Sequence, residues 1–346
     1  MMTWLQSLGA IEQLEDASLD EGLVAALEAN SAQAIARPIT FSTPTFKDFN
    51  TPEIKGCGKN SFPAFSITGP ACALNCDHCQ TKILHPMIPA LRPEDLDRKV
   101  RDLILLQDLQ GFLLSGGSNR HNEIRYERFF PVIEKLKHDH PHLKIAIHTA
   151  LTDETAAKSM EAAGVDVAMM DVIGAEETIR DVYKLNRPVE DFEKTLAALC
   201  STEMQVTPHI VIGLHYGRLL GEARALEIIA RHKTHALVLV VVMPFYAKPG
   251  TFIVPETADV GRVFLEARKS LPDREVLLGC ARPAGMHKRV TDAYAVMAGL
   301  DGIAFPAEGV PAVAEAIGRP YYQQHSCCSV KIGEKPHAKV FSPCAA

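Results

Sequence analysis

From Phe62 onward the chain switches repeatedly between two hydrophobic periods. Short apolar runs rich in β-branched residues alternate with longer stretches of helical period, the pattern of repeated βα units on a parallel sheet. Eight runs read as strands: Ala64–Thr68, Gly111–Ser115, Lys144–His148, Val165–Asp171, Val206–Gly213, Ala236–Met243, Glu275–Gly279 and Gly302–Phe305. Helices are predicted between and after them at 94–108, 124–138, 153–163, 189–199, 221–231, 257–270, 286–298 and 309–317. This is an α/β pattern, and it predicts a complete or nearly complete (β/α)₈ barrel of TIM type. Chemistry in such a barrel sits at the C-terminal ends of the strands, so a polar residue just after a strand outranks one on a helix face.

The flanks read differently. Leu23, Val24, Leu27 and Ala34 place one apolar face on a helix over Leu19–Ile35, opened by Asp16 or Ser18 as a cap. Residues 37–59 collect Pro38, Ser42, Pro44, Asn50, Pro52 and Gly56 and read as an irregular connection. From Arg319 on no period is evident, and Tyr321 and Tyr322 either cover the barrel mouth or pack. The expected organisation is an N-terminal helical extension and linker over 1–60, the barrel over 61–318 and an irregular tail over 319–346.

With 47% hydrophobic and 23% charged residues, the 346-residue chain has the composition of a soluble globular protein. The apolar run Ala236–Met243 is far short of the roughly 20 residues that span a bilayer. Residues 1–15 do not resemble a secretory signal, so a cytoplasmic location with no membrane partner is expected. A net charge of −6 offers no basic field for phosphates, which argues against a nucleic-acid partner. Nine cysteines, an odd number, point to metal or catalysis rather than disulfides.

Three of those cysteines lie close together directly after the first predicted barrel strand. Gly69-Pro70-Ala71-Cys72-Ala73-Leu74-Asn75-Cys76-Asp77-His78-Cys79 places three thiols on one loop, enough to hold three irons of a cubane cluster. A zinc site is the alternative, but tetrahedral zinc usually takes four protein ligands. The Cys-X3-Cys-X2-Cys spacing after a first barrel strand resembles the signature of the radical S-adenosylmethionine (SAM) superfamily. That resemblance extends over most of 62–308. It implies a [4Fe–4S] cluster on Cys72, Cys76 and Cys79, whose open iron is chelated by SAM, and reductive cleavage of SAM to a 5′-deoxyadenosyl radical.

Other segments fall in the order the resemblance requires. Gly116, Gly117 and Ser118 end the second strand where radical SAM enzymes carry a glycine-rich turn for the methionyl amino group. Asp171 and Arg187 lie in a block similar to the biotin synthase and lipoyl synthase branch, where an acidic residue binds the SAM ribose and an arginine its carboxylate. Taken singly, either residue also reads as a surface ion pair. The stretches around Cys280-Ala281-Arg282-Pro283 and Met297-Ala298-Gly299-Leu300 resemble the last βα units of biotin synthase. The cysteines that hold biotin synthase's second cluster are replaced here by residues such as Thr207, which disfavours biotin formation.

Cys57, Cys327 and Cys328 are candidates for a second, auxiliary cluster, with Cys344 nearby in the tail. The layout is most similar to a component of the two-protein, archaeal-type lipoyl synthase, although the usual three-cysteine N-terminal motif is absent. The tail cysteines also read as plain reduced thiols. Cys200 reads as core, Cys280 is ambiguous, and His148 and His209 read as structural or substrate-facing. The resemblance implies sulfur insertion into a protein-bound octanoyl chain. Its expected partners are a lipoyl carrier protein as substrate, a second radical SAM subunit, and an electron donor such as ferredoxin or flavodoxin. The rivals are a radical SAM enzyme acting on a small-molecule cofactor precursor, and an iron–sulfur protein that carries electrons or clusters without cleaving SAM.

Overall fold

The computed structural model describes residues 4–14, 17–44, 49–56, 61–106 and 109–331. Thirteen strands are present among them. They are β1 (Ile39–Ser42), β2 (Phe49–Asn50), β3 (Lys55–Gly56), β4 (Ala64–Ser66), β5 (Ile88–Pro89), β6 (Gly111–Ser115), β7 (Lys144–His148), β8 (Val167–Asp171), β9 (Gln205–Ile212), β10 (Ala236–Val241), β11 (Glu275–Leu278), β12 (Gly302–Ala304) and β13 (Tyr321–Gln324). Eleven form one sheet in the order β13-β1-β12-β11-β10-β9-β8-β7-β6-β4-β5, and β2 pairs with β3 in a separate antiparallel hairpin. All pairings in the large sheet are parallel.

All eight predicted strands appear, in the predicted order. The sheet curls as the expected TIM-type barrel does, but its two edges, β13 and β5, do not pair with each other among the described residues. It is therefore an open barrel. Burial explains why the inner strands were legible: β10 is covered on both faces, so nearly every side chain along it is apolar and buried.

The flanks depart from expectation. The segment read as an irregular linker contributes β1, and the tail contributes β13 beside it, with Ile39 opposite Tyr321 and Ser42 opposite Gln324. Four-residue strands without a regular period carry no sequence signal; parallel pairing to β12 and to each other makes them strands. Tyr321 packs its ring 5.5 Å from Phe41 on this edge. The N-terminal helix is also two helices, Glu21–Ala29 and Ser31–Ala36, broken at Asn30. Asp20, rather than Ser18, caps the first by accepting the Leu23 N–H at 2.7 Å, while Asp16 lies outside the described residues.

These helices cover the outside of the barrel. Both pack on the helix Met286–Ala298, and the first also packs on Thr257–Ser270. Gly261 permits the approach, since a Cβ there would lie 2.5 Å from Leu23 Cδ2. Covered from both sides, residues 290–298 are all buried.

The tail closes the opposite end. Val330 packs with Phe62, Ala146, Val167 and Met169 near the strand starts, and Lys331 pairs with Glu275 at the start of β11 at 2.6 Å. Ser61 Oγ donates to the His325 carbonyl at 2.5 Å, and Thr43 Oγ1 lies 2.6 Å from His325 Nδ1. Residues 325–331 thus form a floor beneath the barrel interior.

Candidate active site

The three-cysteine loop leaves β4 at the C-terminal end of the sheet, where the barrel rule places chemistry. Thr68 ties its start by donating to the Ala71 carbonyl at 2.8 Å while accepting the Gly117 N–H at 2.7 Å. The end of β6 locks it further: Ala73 N donates to Ser118 O at 2.8 Å, and the Cys72 thiol lies 3.7 Å from the same carbonyl. Gly117 is required here for contact, because a Cβ would lie 2.0 Å from Ala71 O and 2.6 Å from Cys72 Cα. The Gly-Gly turn predicted as a ligand contact is therefore also the seat of the loop.

Asp77 fastens the far side of the loop. Its carboxylate accepts from Lys184 Nζ at 2.7 Å and Tyr216 OH at 3.3 Å, and its backbone pairs with Val182 O and Lys248 N. Left-handed backbone at Asn75, Gln80 and Thr81 lets so short a segment coil back on itself. Nothing in the spacing of the cysteines reveals these clamps, because their partners lie on the loops after β8, β9 and β10.

A cavity of about 320 Å³ runs inward from this loop. It is lined by Cys72, Cys76, Cys79, Gly116, Gly117, Ser118 and Asp171, and also by Cys327 and Cys328 from the floor. Most of the remaining wall is apolar, including Leu74, Ile83, Met87, Leu113, Val211 and Val240. Arg187 is not among the lining residues; its guanidinium pairs with Asp191 one helical turn on at 3.3 Å. Cys57 and Cys344 lie outside the described residues. Cys200 ends its helix packed against the core, and burial pushes its thiol up to about 11.

Cys280, ambiguous in sequence, faces this same cavity. His148 and His209 do too, with ring centroids 5.1 Å apart. His148 Nε2 is 3.8 Å from Asp171 Oδ1, and Tyr183 OH donates to Asp171 Oδ2 at 3.3 Å. Thr207 shares a face of β9 with His209 and Val211, as the pleat dictates. Sequence reasoning passed over His78 and Tyr183. Their rings stack at 5.0 Å, and the buried His78 Nδ1 has no hydrogen-bond partner.

The electrostatics of the loop divide its thiols: they favour a thiolate at Cys79 and oppose one at Cys76. A hydrogen bond with Cys76 and the nearby His78 hold the Cys79 thiol down to about 4, against the effect of burial. The same bond raises Cys76, aided by burial and by the charges of Cys79 and Cys72. Burial pulls His78 down, but the Cys79 thiolate and the carboxylates of Asp171 and Asp77 outweigh it and leave it raised. Burial and His148 lower His209 to about 4. Three thiol donors on one short loop fit a cluster that keeps one iron open. Among the described residues no three His, Cys, Asp or Glu side chains gather around a single-ion point, the Cys72, Cys76, Cys79 set included.

Comparison with known proteins agrees with this geometry. Residues 66–218 match the Radical SAM superfamily model. No curated protein matches by sequence. Among solved structures, the [FeFe]-hydrogenase maturase from Carboxydothermus hydrogenoformans is similar at a TM-score of 0.57 and 12% identity, covering 88% of this chain and 67% of that one. Methylornithine synthase is similar at a TM-score of 0.56 and 11% identity, covering 93% of this chain and 94% of that one. At such identities the likeness is one of fold. No helix among the described residues is long and apolar enough to cross a membrane. The loop, the barrel and the family model agree: residues 66–218 match the radical SAM superfamily, which uses a [4Fe–4S] cluster and SAM.

Proposed function

We propose that this radical SAM enzyme inserts sulfur at unactivated C–H bonds of an octanoyl chain attached to a lysine of a lipoyl carrier protein. The observation that supports this reading is a mostly apolar cavity with thiols at both ends, Cys72, Cys76 and Cys79 at the mouth and Cys327 and Cys328 at the floor. An alkyl chain buries well against Leu113, Val211 and Val240, and it offers no polar handle that such walls would leave unpaired.

In this reading Cys72, Cys76 and Cys79 hold the cluster, and Gly116, Gly117, Ser118, Asp171 and Arg187 position SAM. When bound, the cluster, reduced by an electron donor such as ferredoxin or flavodoxin, and SAM would supply the 5′-deoxyadenosyl radical that abstracts hydrogen, and an auxiliary cluster, for which Cys57, Cys327 and Cys328 are the candidate ligands, would supply the sulfur. The protein contributes position and exclusion of water. Asp171, held by Tyr183, presents a carboxylate for ribose hydroxyls, and the Thr68 and Ser118 contacts fix the loop against β6. The planar guanidinium of Arg187 matches a carboxylate, provided it leaves Asp191.

Anaerobic incubation with an octanoylated carrier domain, SAM and dithionite is expected to give 5′-deoxyadenosine and a carrier heavier by inserted sulfur, read by mass spectrometry. SAM cleavage with no mass gain, even with a companion radical SAM subunit added, would retire the octanoyl reading and leave the radical SAM assignment intact.

A further inference from the structure

Nine large apolar side chains are exposed among the described residues, and five of them, Leu219, Leu220, Phe245, Ile253 and Val254, fall on the two loops that follow β9 and β10. Phe245 is the most exposed of the nine, at 85%. An apolar cluster this concentrated marks a contact surface for another molecule. The two loops pack against each other as one surface. Tyr216 O accepts the Ile253 N–H at 3.3 Å, and the Tyr216 and Phe252 rings lie 5.0 Å apart. Gly217 leaves the room this needs, since a Cβ there would lie 2.2 Å from Ile253 O.

The patch stands on the rim of the cavity and on the cluster loop. Tyr246, which lines the cavity, has its ring centroid 5.5 Å from that of Phe245. Lys82 Nζ donates to Phe245 O at 3.5 Å, and the Lys248 N–H donates to Asp77 O at 2.9 Å. Its charge is opposite to that of the chain as a whole. The net charge is −6, yet residues 213–220 and 243–255 carry Arg218 and Lys248 and no acid. Both cations are exposed, and neither side chain makes an ion pair or hydrogen bond among the described residues. Of the acids that border the loops, Asp77 is taken by Lys184 at 2.7 Å and Asp181 by Arg180 at 2.8 Å, and Glu256 stands at the N-cap of the helix Thr257–Ser270.

We infer that this apolar, cation-flanked patch is the docking surface for an acidic carrier protein that delivers its tethered substrate into the cavity. The inference rests on the carrier reading proposed above and names the face that the carrier meets. Position argues for a carrier: a body seated on Phe245 and Ile253 lies beside the mouth, so a tether reaches inward past Tyr246 while the body stays outside. Charge argues for an acidic one. Arg218 and Lys248 steer and orient a negative surface, and the apolar centre supplies contact area. A second copy of this chain fits poorly, because two such patches meeting face to face would set these cations against like charge. An electron donor needs only to approach the cluster loop, and the exposed Ala71 and Ala73, in a cleft shared with Arg125 and Arg128, offer that approach without this patch.

The test gives the full, reconstituted chain two octanoyl-lysine substrates: a negatively charged lipoyl carrier domain, and a short neutral peptide around the same lysine, which has no body to seat on the patch. Phe245→Ser with Ile253→Ser, and separately Arg218→Glu with Lys248→Glu, are expected to weaken binding of the fluorescently labelled domain about tenfold, read by anisotropy. The KM for the domain should rise by a similar factor, with the KM for the peptide and the 5′-deoxyadenosine formed with dithionite unchanged. Added salt should weaken binding of the domain to the wild type and not to the charge-reversed variant. A wild type that does not bind the domain, binding that neither pair of substitutions alters, an equal loss for peptide and domain, or a defect confined to turnover driven by flavodoxin would each overturn the surface, the last by assigning it to the electron donor. Thiolated peptide together with domain binding indifferent to the patch leaves the octanoyl reading without this surface. Domain binding that depends on the patch but yields no thiolated product leaves the surface and retires the octanoyl chain.

Discussion

The two cysteine-bearing sides of the cavity are made in opposite ways. On one side, Cys72, Cys76 and Cys79 lie on eight consecutive residues, and the loop they share folds against β6 through Thr68, Gly117 and Ser118. On the other, Cys280 and the Cys327-Cys328 pair are separated by more than forty residues and meet only because the tail runs beneath the barrel. The first arrangement is local and shows in the spacing. The second exists only once the sheet has curled and the tail has docked, and its precision rests on anchors such as the buried Arg282–Asp292 pair.

That contrast yields tests graded by size. The largest effect is expected at Gly117→Ala. The added Cβ would meet backbone on the cluster loop, which cannot swing aside as a flexible side chain can. The variant should lose most of the iron held by Cys72, Cys76 and Cys79 and, with it, 5′-deoxyadenosine production, read by iron analysis and chromatography. Wild-type iron and 5′-deoxyadenosine would show that the loop does not need so close a seat on β6.

Next comes Arg282→Ala. Removing Arg282 leaves the buried Asp292 with only Lys288 Nζ at 3.9 Å as a cationic partner, loosens the Ala307 N–H that depends on it for position, and should cost about 3–5 kcal/mol of stability in urea melts. A change under about 1 kcal/mol would mean the pair does not fasten that wall.

The smallest effect concerns His209, which faces both sides. Its folded-state value near 4 lies below its unfolded value near 6.5, so the unfolded chain binds the extra proton between those limits. Its contribution to stability is complete above pH 6.5 and is lost as pH falls toward 4. His209→Gln should flatten that part of the stability profile in chemical denaturation, with little change at pH 8. An unaltered slope would show that other groups govern it.

How far the sequence could be read follows the same division. Strands buried on both faces, such as β6, β7 and β10, announced themselves as apolar runs, and the helices between them as amphipathic periods, because burial there dictates every position. β1 and β13 went unread, since four residues with mixed polarity become strands only through their neighbours. The Asp77 clamp, the stacking of His78 on Tyr183 and the inward face of Cys280 were invisible for the same reason: each pairs groups from distant βα units.

By itself, then, the sequence determined the repeating βα order, the place of the cysteine loop after the first inner strand, and the radical SAM resemblance, all of which depend on residues near one another in the chain. The tertiary structure decided that the sheet stays open at β13 and β5, that Arg187 pairs with Asp191 outside the cavity lining, and that the tail floors the barrel with two thiols facing inward. Those features depend on which side chains meet after the chain has folded back on itself, and side chains far apart in sequence carry no mark of their future neighbours until packing brings them into contact.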